Sequence, residues 1–293
     1  MRKNPKQAAS IFDAYIELTK PRITYLILIS TALGYYLGSG GFIAAWDMLI
    51  CLFGSALVAS GSGALNHFAE VDSDSLMTRT YLRPLPTGMI KPLRAKNFGL
   101  ILVSAGVIVL SVFINNITAI LAILTVILYL FVYTPLKKIT WLNTSIGAIP
   151  GALPPVGGWT AASGQLDPES WILFGILYFW QHPHFYALAL MYQDDYQKAG
   201  YHMLPVLEKE SQRTNRQIMW HSLLLIPVSL VLYFIGMLGI FYFYGALLLG
   251  MAYFLSGFVL VKNYSFKNAR FLLLVSVIYL PLLFCSIVID KFV

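Results

Sequence analysis

Charge is scarce in this chain. Asp, Glu, Lys and Arg make up 11% of its 293 residues, against about 25% in an ordinary soluble protein. That shortage excludes a water-exposed globular domain. Cysteine is scarcer still: Cys51 and Cys285 sit inside apolar runs with no CxxC or other ligand spacing, which excludes a disulfide framework and a thiolate metal site and leaves both thiols as small hydrophobes. The N-terminal stretch is polar and carries Asp13 and Glu17, unlike a secretory signal or an acid-poor transit peptide. No low-complexity linker interrupts the sequence, so one membrane domain over residues 1–293 is expected.

What is abundant is apolar length. Hydrophobic residues make up 58% of the chain, and a bilayer core takes about 20 apolar residues per crossing helix. Nine such stretches lie near 23–38, 43–65, 98–115, 118–134, 141–160, 170–190, 217–237, 240–261 and 269–289. The fold class predicted is all-α: a polytopic membrane protein with nine transmembrane helices around a central cavity, capped by cytoplasmic loops. Cytoplasmic loops are enriched in Lys and Arg, which tests the division independently. With the N-terminus inside, Arg2, Lys3, Lys6, Lys20 and Arg22 precede the first span, and nineteen of the 20 basic residues fall on the inner side, Lys291 being the exception. The net charge of +7 therefore reflects topology, and no nucleic-acid partner is expected.

The carboxylates gather at helix ends predicted to face the cytoplasm. In "LNHFAEVDSDSLMTRTYLRPLPTG", Asn66, Glu70 and Asp74 recur every fourth residue. On a helix that spacing drifts only about 80° around the axis while rising about 12 Å, so the three share a face; Asp72 points elsewhere and reads as solvated or capping. An amide and two carboxylates are hard oxygen ligands, the kind Mg²⁺ takes while keeping waters and phosphates in its other positions. Arg79 and Arg83 follow closely, and guanidinium forks match phosphate oxygens. The set suits a diphosphate; the plainer reading is a helix end with ordinary membrane-surface charge. A second cluster, "YQDDYQKAGYHMLPV", places Asp194 and Asp195 at the inner end of the sixth span with Lys198 one turn on. Adjacent like charges repel unless a cation intervenes, so the two clusters can share metal ions.

Two further elements stay open between readings. Lys137 and Lys138, in "YTPLKKITWLN", are explained by inner-side anchoring or by phosphate contact. His182 and His184 flank Pro183 in the sixth span; they form a polar or iron-contacting site, or they bond backbone carbonyls that the proline frees.

These residues together resemble the intramembrane prenyltransferases of the UbiA superfamily, over nearly the full length from "LTKPRI" onward. Its N-x-x-x-D-x-x-x-D pattern stands here as Asn66, Glu70 and Asp74, followed by "RTYLRPLPTG". "YTPLKKITWLNTSIGAIPGALPPVGGW", "WQHPHFYALAL" and "DYQKAGYHMLPV" are similar to the signatures of the superfamily's haem-modifying branch. Two departures stand out. Glu70 replaces the usual Asp, and Met191 occupies the first position of the second motif, D-x-x-x-D, leaving Asp194 and Asp195 to ligate there.

The resemblance implies transfer of a farnesyl group from farnesyl diphosphate to a vinyl group of haem B, with water added, giving haem O and diphosphate. It implies Mg²⁺ as cofactor, held by Asn66, Glu70, Asp74, Asp194 and Asp195, which act as the catalytic set. Arg79, Arg83, Lys137 and Lys198 would bind diphosphate, and His184 and His182 would face haem. The implied setting is a lipid bilayer, the inner membrane of a bacterial cell, with a haem A synthase as candidate partner. One rival is a related prenyltransferase acting on an aromatic acceptor in quinone synthesis. Another, from a different class, is a secondary transporter, which would hold its polar site near mid-bilayer rather than at helix ends.

Overall fold

The computed structural model describes residues 10–41, 44–208 and 210–291; Arg2, Lys3, Lys6 and Lys209, counted above as inner-side charges, lie outside that set. The described residues form helices only. In chain order they are α1 (Ile11–Leu18), α2 (Pro21–Gly38), α3 (Ala45–Ala69), α4 (Val71–Leu76) and α5 (Pro92–Phe113). Next come α6 (Asn116–Ile127), a π-helical turn (Leu128–Tyr133), α7 (Thr134–Leu136), α8 (Asn143–Ala152), α9 (Pro154–Ser163) and α10 (Pro168–Met191). The last are α11 (Gln193–Lys198), α12 (Leu204–Leu207), α13 (Gln212–Phe234), α14 (Ile240–Lys262) and α15 (Phe266–Asp290).

Among the described residues, six segments are long and apolar enough to cross a membrane: α3, α5, the run Asn116–Leu136, α13, α14 and α15. The protein is thus a multi-pass integral membrane protein, but the count of nine is not reproduced by length and composition. Three expected spans fall outside the six. Residues 141–160 break into α8 and α9, ten residues each, because Pro154 and Pro155 cannot donate into a continuing ladder. Helix α2 has 18 residues and spends several on Thr, Tyr and Ser. Helix α10 carries Gln181, His182 and His184, and runs through Pro183 as one helix.

The chain divides into two compact units. The first comprises the described residues up to Thr140, with Leu153–Leu166 and Asp194–Tyr201. Its central seam is α3 against α5, where a Cβ built on Gly61 would lie 2.6 Å from the Gly99 carbonyl oxygen and one on Gly106 would lie 2.6 Å from that of Gly54. Gly54 and Gly61 pair with Gly106 and Gly99 in antiparallel order, and without side chains the two backbones touch. That contact fixes α3, whose C-terminal end carries Asn66. Helix α1 begins at Ser10, whose hydroxyl accepts the Asp13 N–H at 3.1 Å, and it buries Ala14 and Leu18 with Ala64, Leu85, Ile90 and Ala95.

The second unit comprises Trp141–Ala152, Asp167–Gln193 and the described residues from His202 onward. Its interior contains four fully buried tyrosines, Tyr186, Tyr242, Tyr253 and Tyr279, and the hydroxyls of the last three are satisfied, as an apolar core demands. Tyr253 donates to the Trp180 carbonyl at 2.8 Å, Tyr242 to the Ser229 carbonyl at 2.7 Å, and Tyr279 shares a hydrogen bond with the Ser229 hydroxyl at 3.0 Å. Asp290, at the end of α15, accepts the Tyr242 N–H at 2.9 Å and that of Gly239, and so caps α14 from a neighbouring helix.

Candidate active site

The site grows from the end of α3. The helix stops at Ala69, and Glu70 occupies the joint with α4 at φ −108°, ψ 12°. Hydrogen bonds nevertheless cross the break: Glu70 N–H donates to the Asn66 carbonyl at 2.9 Å and Asp74 N–H to that of Glu70 at 2.8 Å. The fourth-residue spacing therefore survives, as the sequence pattern required. All three side chains are buried, with Asn66 and Asp74 1% exposed. Asp72 is exposed, as expected.

Each of the three polar groups meets a cation of its own chain. Lys20 donates from Nζ to Asn66 Oδ1, and the Asn66 amide reaches Thr134 Oγ1 at 3.3 Å. Lys137 Nζ lies 2.6 Å from Glu70 Oε1, where the Tyr201 hydroxyl also donates at 3.0 Å. Arg83 places one nitrogen 2.8 Å from both oxygens of Asp74. Burial pushes the Glu70 carboxyl up, but Lys137, Lys20 and the hydrogen bonds outweigh it and hold the group at about 2. Lys137 is kept protonated well above the ordinary lysine range: burial opposes its charge, while Tyr133 and Glu70 favour it. Lys20 moves the other way, down to about 7, because burial and the nearby Arg83 charge dominate.

Local geometry explains how these cations arrive. The turn Leu128–Tyr133 opens into a π-helix just before Pro135, which has no N–H to give, and the Thr134 N–H and hydroxyl both bond the Tyr129 carbonyl. Widened turns of this kind recur at functional sites. This one delivers Thr134 to Asn66 and Lys137 to Glu70, with the Lys137 ammonium 4.5 Å from the centre of the Tyr133 ring. Lys20 is held in the left-handed region at φ 49°, ahead of Pro21, which disfavours a right-handed helical residue before it. A non-glycine residue in that conformation marks a strained position.

The second acidic cluster joins the first through the loop after α4. Asp195 is buried, and its Oδ1 accepts the Thr78 N–H at 3.1 Å. Burial raises its pKa, yet the bonds from Thr78 and the charge of Arg79 bring it below the usual carboxylate range. Arg79 donates to the Tyr196 hydroxyl at 3.1 Å, its guanidinium 5.0 Å above that ring. Asp194 and Lys198 are exposed. The structure thus brings together Asn66, Glu70, Asp74, Arg83 and Lys137, links Arg79 and Asp195 by way of Thr78 and Tyr196, and leaves Asp194 and Lys198 on the surface.

His182 and His184 belong to the second unit. His182 bonds the Tyr178 carbonyl through Nδ1 at 2.8 Å and Ser145 Oγ through Nε2 at 3.0 Å, and stacks on His221 with ring centres 3.7 Å apart. The carbonyl that a proline at 183 deprives of its helical donor is that of Phe179, so the His182 ring bonds its neighbour instead. His184 stacks on Trp180 and bonds Ser276 Oγ through Nδ1 at 2.7 Å.

Three further groups at this site are only weakly marked in the sequence. Lys20 reads from sequence as an inner-side charge, and a lysine before proline at a helix start is the further signal it carries. Tyr201 had no signal beyond its place in a quoted motif. His67 is the third: its Nδ1 is buried without a hydrogen-bond partner, 3.9 Å from Asp74 Oδ2. A buried polar atom left unpaired beside a carboxylate fits a centre completed by a ligand. The hard oxygens of Asn66, Glu70 and Asp74 fit Mg²⁺ in the form that takes one or two carboxylates and leaves its other positions to water and phosphate. Among the described residues no three His, Cys, Asp or Glu side chains converge tightly enough to hold a metal unaided.

Comparison with known proteins decides the family. The model of the UbiA prenyltransferase family matches residues 27–282. The chain belongs to that family. Among curated relatives, the protoheme IX farnesyltransferase of Solibacter usitatus is 46% identical over 286 residues, covering 94% of this chain and 98% of its own. That of Koribacter versatilis is 42% identical over 293 residues, covering 97% and 94%. Among solved structures, a digeranylgeranylglyceryl phosphate synthase aligns over 96% of this chain and 98% of its own, with a TM-score of 0.80 at 21% identity. A UbiA homologue from Archaeoglobus fulgidus bound to DMAPP and Mg²⁺ aligns over 93% and 98% with a TM-score of 0.67 at 19% identity. At those identities the structural likeness concerns the fold, which for this UbiA family member is the all-helical one.

Proposed function

We propose that the chain transfers the farnesyl group of farnesyl diphosphate to the 2-vinyl group of haem B, with addition of water, to give haem O and diphosphate. The observation that carries the choice of acceptor is near-full-length identity of 46% to a protein named protoheme IX farnesyltransferase. The diphosphate chemistry rests on the buried oxygens of Asn66, Glu70 and Asp74 and their attendant cations.

In this reading Asn66, Glu70 and Asp74, with Asp195 and Asp194 from the second cluster, hold Mg²⁺, which when bound supplies positive charge to the diphosphate oxygens. Lys137, Arg83, Arg79 and Lys198 then stabilise the negative charge that grows as the C1–O bond breaks and its electron pair leaves with diphosphate. The terminal vinyl carbon of haem B bonds to farnesyl C1, leaving a cation at the carbon beside the macrocycle. Water adds there and loses a proton, so the product carries a hydroxyl. Lys137, seated between Glu70 and Tyr133, can turn from the carboxylate to the departing phosphate without leaving its aromatic contact.

For haem, His184 is the better contact, because both ring nitrogens of His182 already have partners; the proposal assigns His184 Nε2 to the iron. The topology proposed with this function is nine spans in a single domain, the acidic loops and the N-terminus being cytoplasmic in a bacterial inner membrane. A haem A synthase would consume the product.

The experiment is haem chromatography of membranes with and without this chain, given farnesyl diphosphate, Mg²⁺ and haem B. Haem O should form only where the chain is present. Prenylation of hydroxybenzoate in place of haem B would transfer the assignment to the quinone branch of the family.

A further inference from the structure

An open cleft on the first unit is lined by residues other than the acidic ladder. Tyr15 of α1 and Arg94, Asn97, Phe98 and Ile101 of α5 line this cleft of about 440 Å³. None of these residues belongs to the site above. The Tyr15 and Phe98 rings meet edge to face with centres 5.0 Å apart and form one wall. Arg94 and Asn97 are exposed, as are Lys91 and Lys96. Of the two carboxylates on α1, Asp13 and Glu17, Asp13 is engaged with the Ser10 hydroxyl at 2.8 Å.

Three features give the cleft a direction. Arg94, Asn97 and Ile101 sit at i, i+3 and i+7 on α5 and so follow one helix face. That face continues through Ile108 and Val112; Ile101, Ile108 and Val112 are 66%, 58% and 66% exposed and lie along an apolar segment long enough to cross a membrane. The polar end coincides with the α5 N-terminus, where the helix dipole is positive, beside the basic residues Lys91, Arg94 and Lys96. A guanidinium and an amide at a membrane boundary, above an apolar track that only the exposed Ser104 interrupts, match an anionic headgroup carrying a long acyl chain.

We propose that this cleft binds an anionic phospholipid, its phosphate on Arg94 and Asn97 and one acyl chain along Ile101, Ile108 and Val112. Tyr15 and Phe98 close the headgroup end. Occupancy would brace α1 against α5, since Tyr15 and Phe98 pack against the same buried cluster, Ala14, Leu18, Ala64, Leu85, Ile90 and Ala95, as do Phe68 and Val71, the residues bracketing the joint that carries Glu70.

The test is native mass spectrometry of the full chain in detergent, offered phosphatidylglycerol, phosphatidylcholine or soluble glycerol phosphate. One phosphatidylglycerol should be retained about fivefold over phosphatidylcholine, the preference one basic residue confers at a membrane surface. Arg94→Gln should abolish that preference while leaving farnesyl transfer and thermal unfolding in detergent without added lipid unchanged, and Arg94→Lys should keep part of it. Ile101→Trp should lower retention of both lipids by filling the track. Equal retention of the two lipids, an undiminished preference in Arg94→Gln, or displacement by glycerol phosphate at the same concentration as phosphatidylglycerol would each overturn the proposal.

Discussion

Lys137 Nζ and the Tyr201 hydroxyl converge on one oxygen, Glu70 Oε1, at 2.6 and 3.0 Å. Two donors from opposite parts of the sequence thus set the position of the carboxylate that departs from the superfamily pattern. Glutamate reaches one methylene further than aspartate, and the extra length is taken up by this pair of anchors.

Removing one partner of that ion pair should cost more than removing both. Lys137→Met strands a buried carboxylate, a loss of about 3–5 kcal/mol, whereas the double change with Glu70→Gln should recover most of that stability without restoring farnesyl transfer. Thermal unfolding in detergent, set beside haem O formation, separates the two effects. Additive stability losses would dissolve the pairing.

Acid should unfold the wild-type chain partly through Glu70. Its folded pKa of about 2 lies below the ordinary value of 4.5, so the unfolded state binds more protons in that interval and stability falls as pH drops through it. Above pH 4.5 the contribution is fully present. Glu70→Gln should flatten the dependence of Tm on pH between about 5 and 3 relative to wild type; parallel curves would remove Glu70 from the account.

Asp74→Asn and Asp195→Asn should each reduce magnesium-dependent haem O formation by at least about a hundredfold, the scale of one electrostatic contact to a developing charge. Raising Mg²⁺ should rescue part of the loss if the carboxylate holds metal. Full activity in both variants would refute the ligand assignment.

A side chain in the α3–α5 seam should act at a distance. Gly61→Val drives two methyl groups toward the Gly99 carbonyl, and overpacking of this kind costs about 1–3 kcal/mol. Tm should fall, and farnesyl transfer with it, although residue 61 touches no substrate. Gly157→Ala, where a Cβ meets open space, is the matched control and should leave both unchanged.

Most of the helical framework was legible because apolar length is written directly into a membrane chain. The ladder Asn66, Glu70, Asp74 was legible for a different reason: its period matches the backbone, and the hydrogen bonds bridging the joint at Glu70 preserve that period. Asp195 was readable as part of a cluster, but nothing local distinguished it from Asp194; only the Thr78 amide, more than a hundred residues away in sequence, does so. Lys20 was hidden by a sufficient alternative, since a basic residue at the inner end of a helix already satisfies the charge rule. The break between α8 and α9 is signalled by Pro154 and Pro155, in a Gly- and Pro-rich stretch whose apolar content alone fits a span. The π-turn ahead of Lys137 has no period of its own in a sequence of apolar residues.

The contact between α3 and α5 also bears on traffic. Where two backbones meet with only hydrogens between them, no hydrocarbon tail can slip through, so that flank of the first unit is a sealed partition. An isoprenoid arriving from the bilayer must use another doorway, and widening the glycine seam by mutation would loosen the wall without creating an entrance.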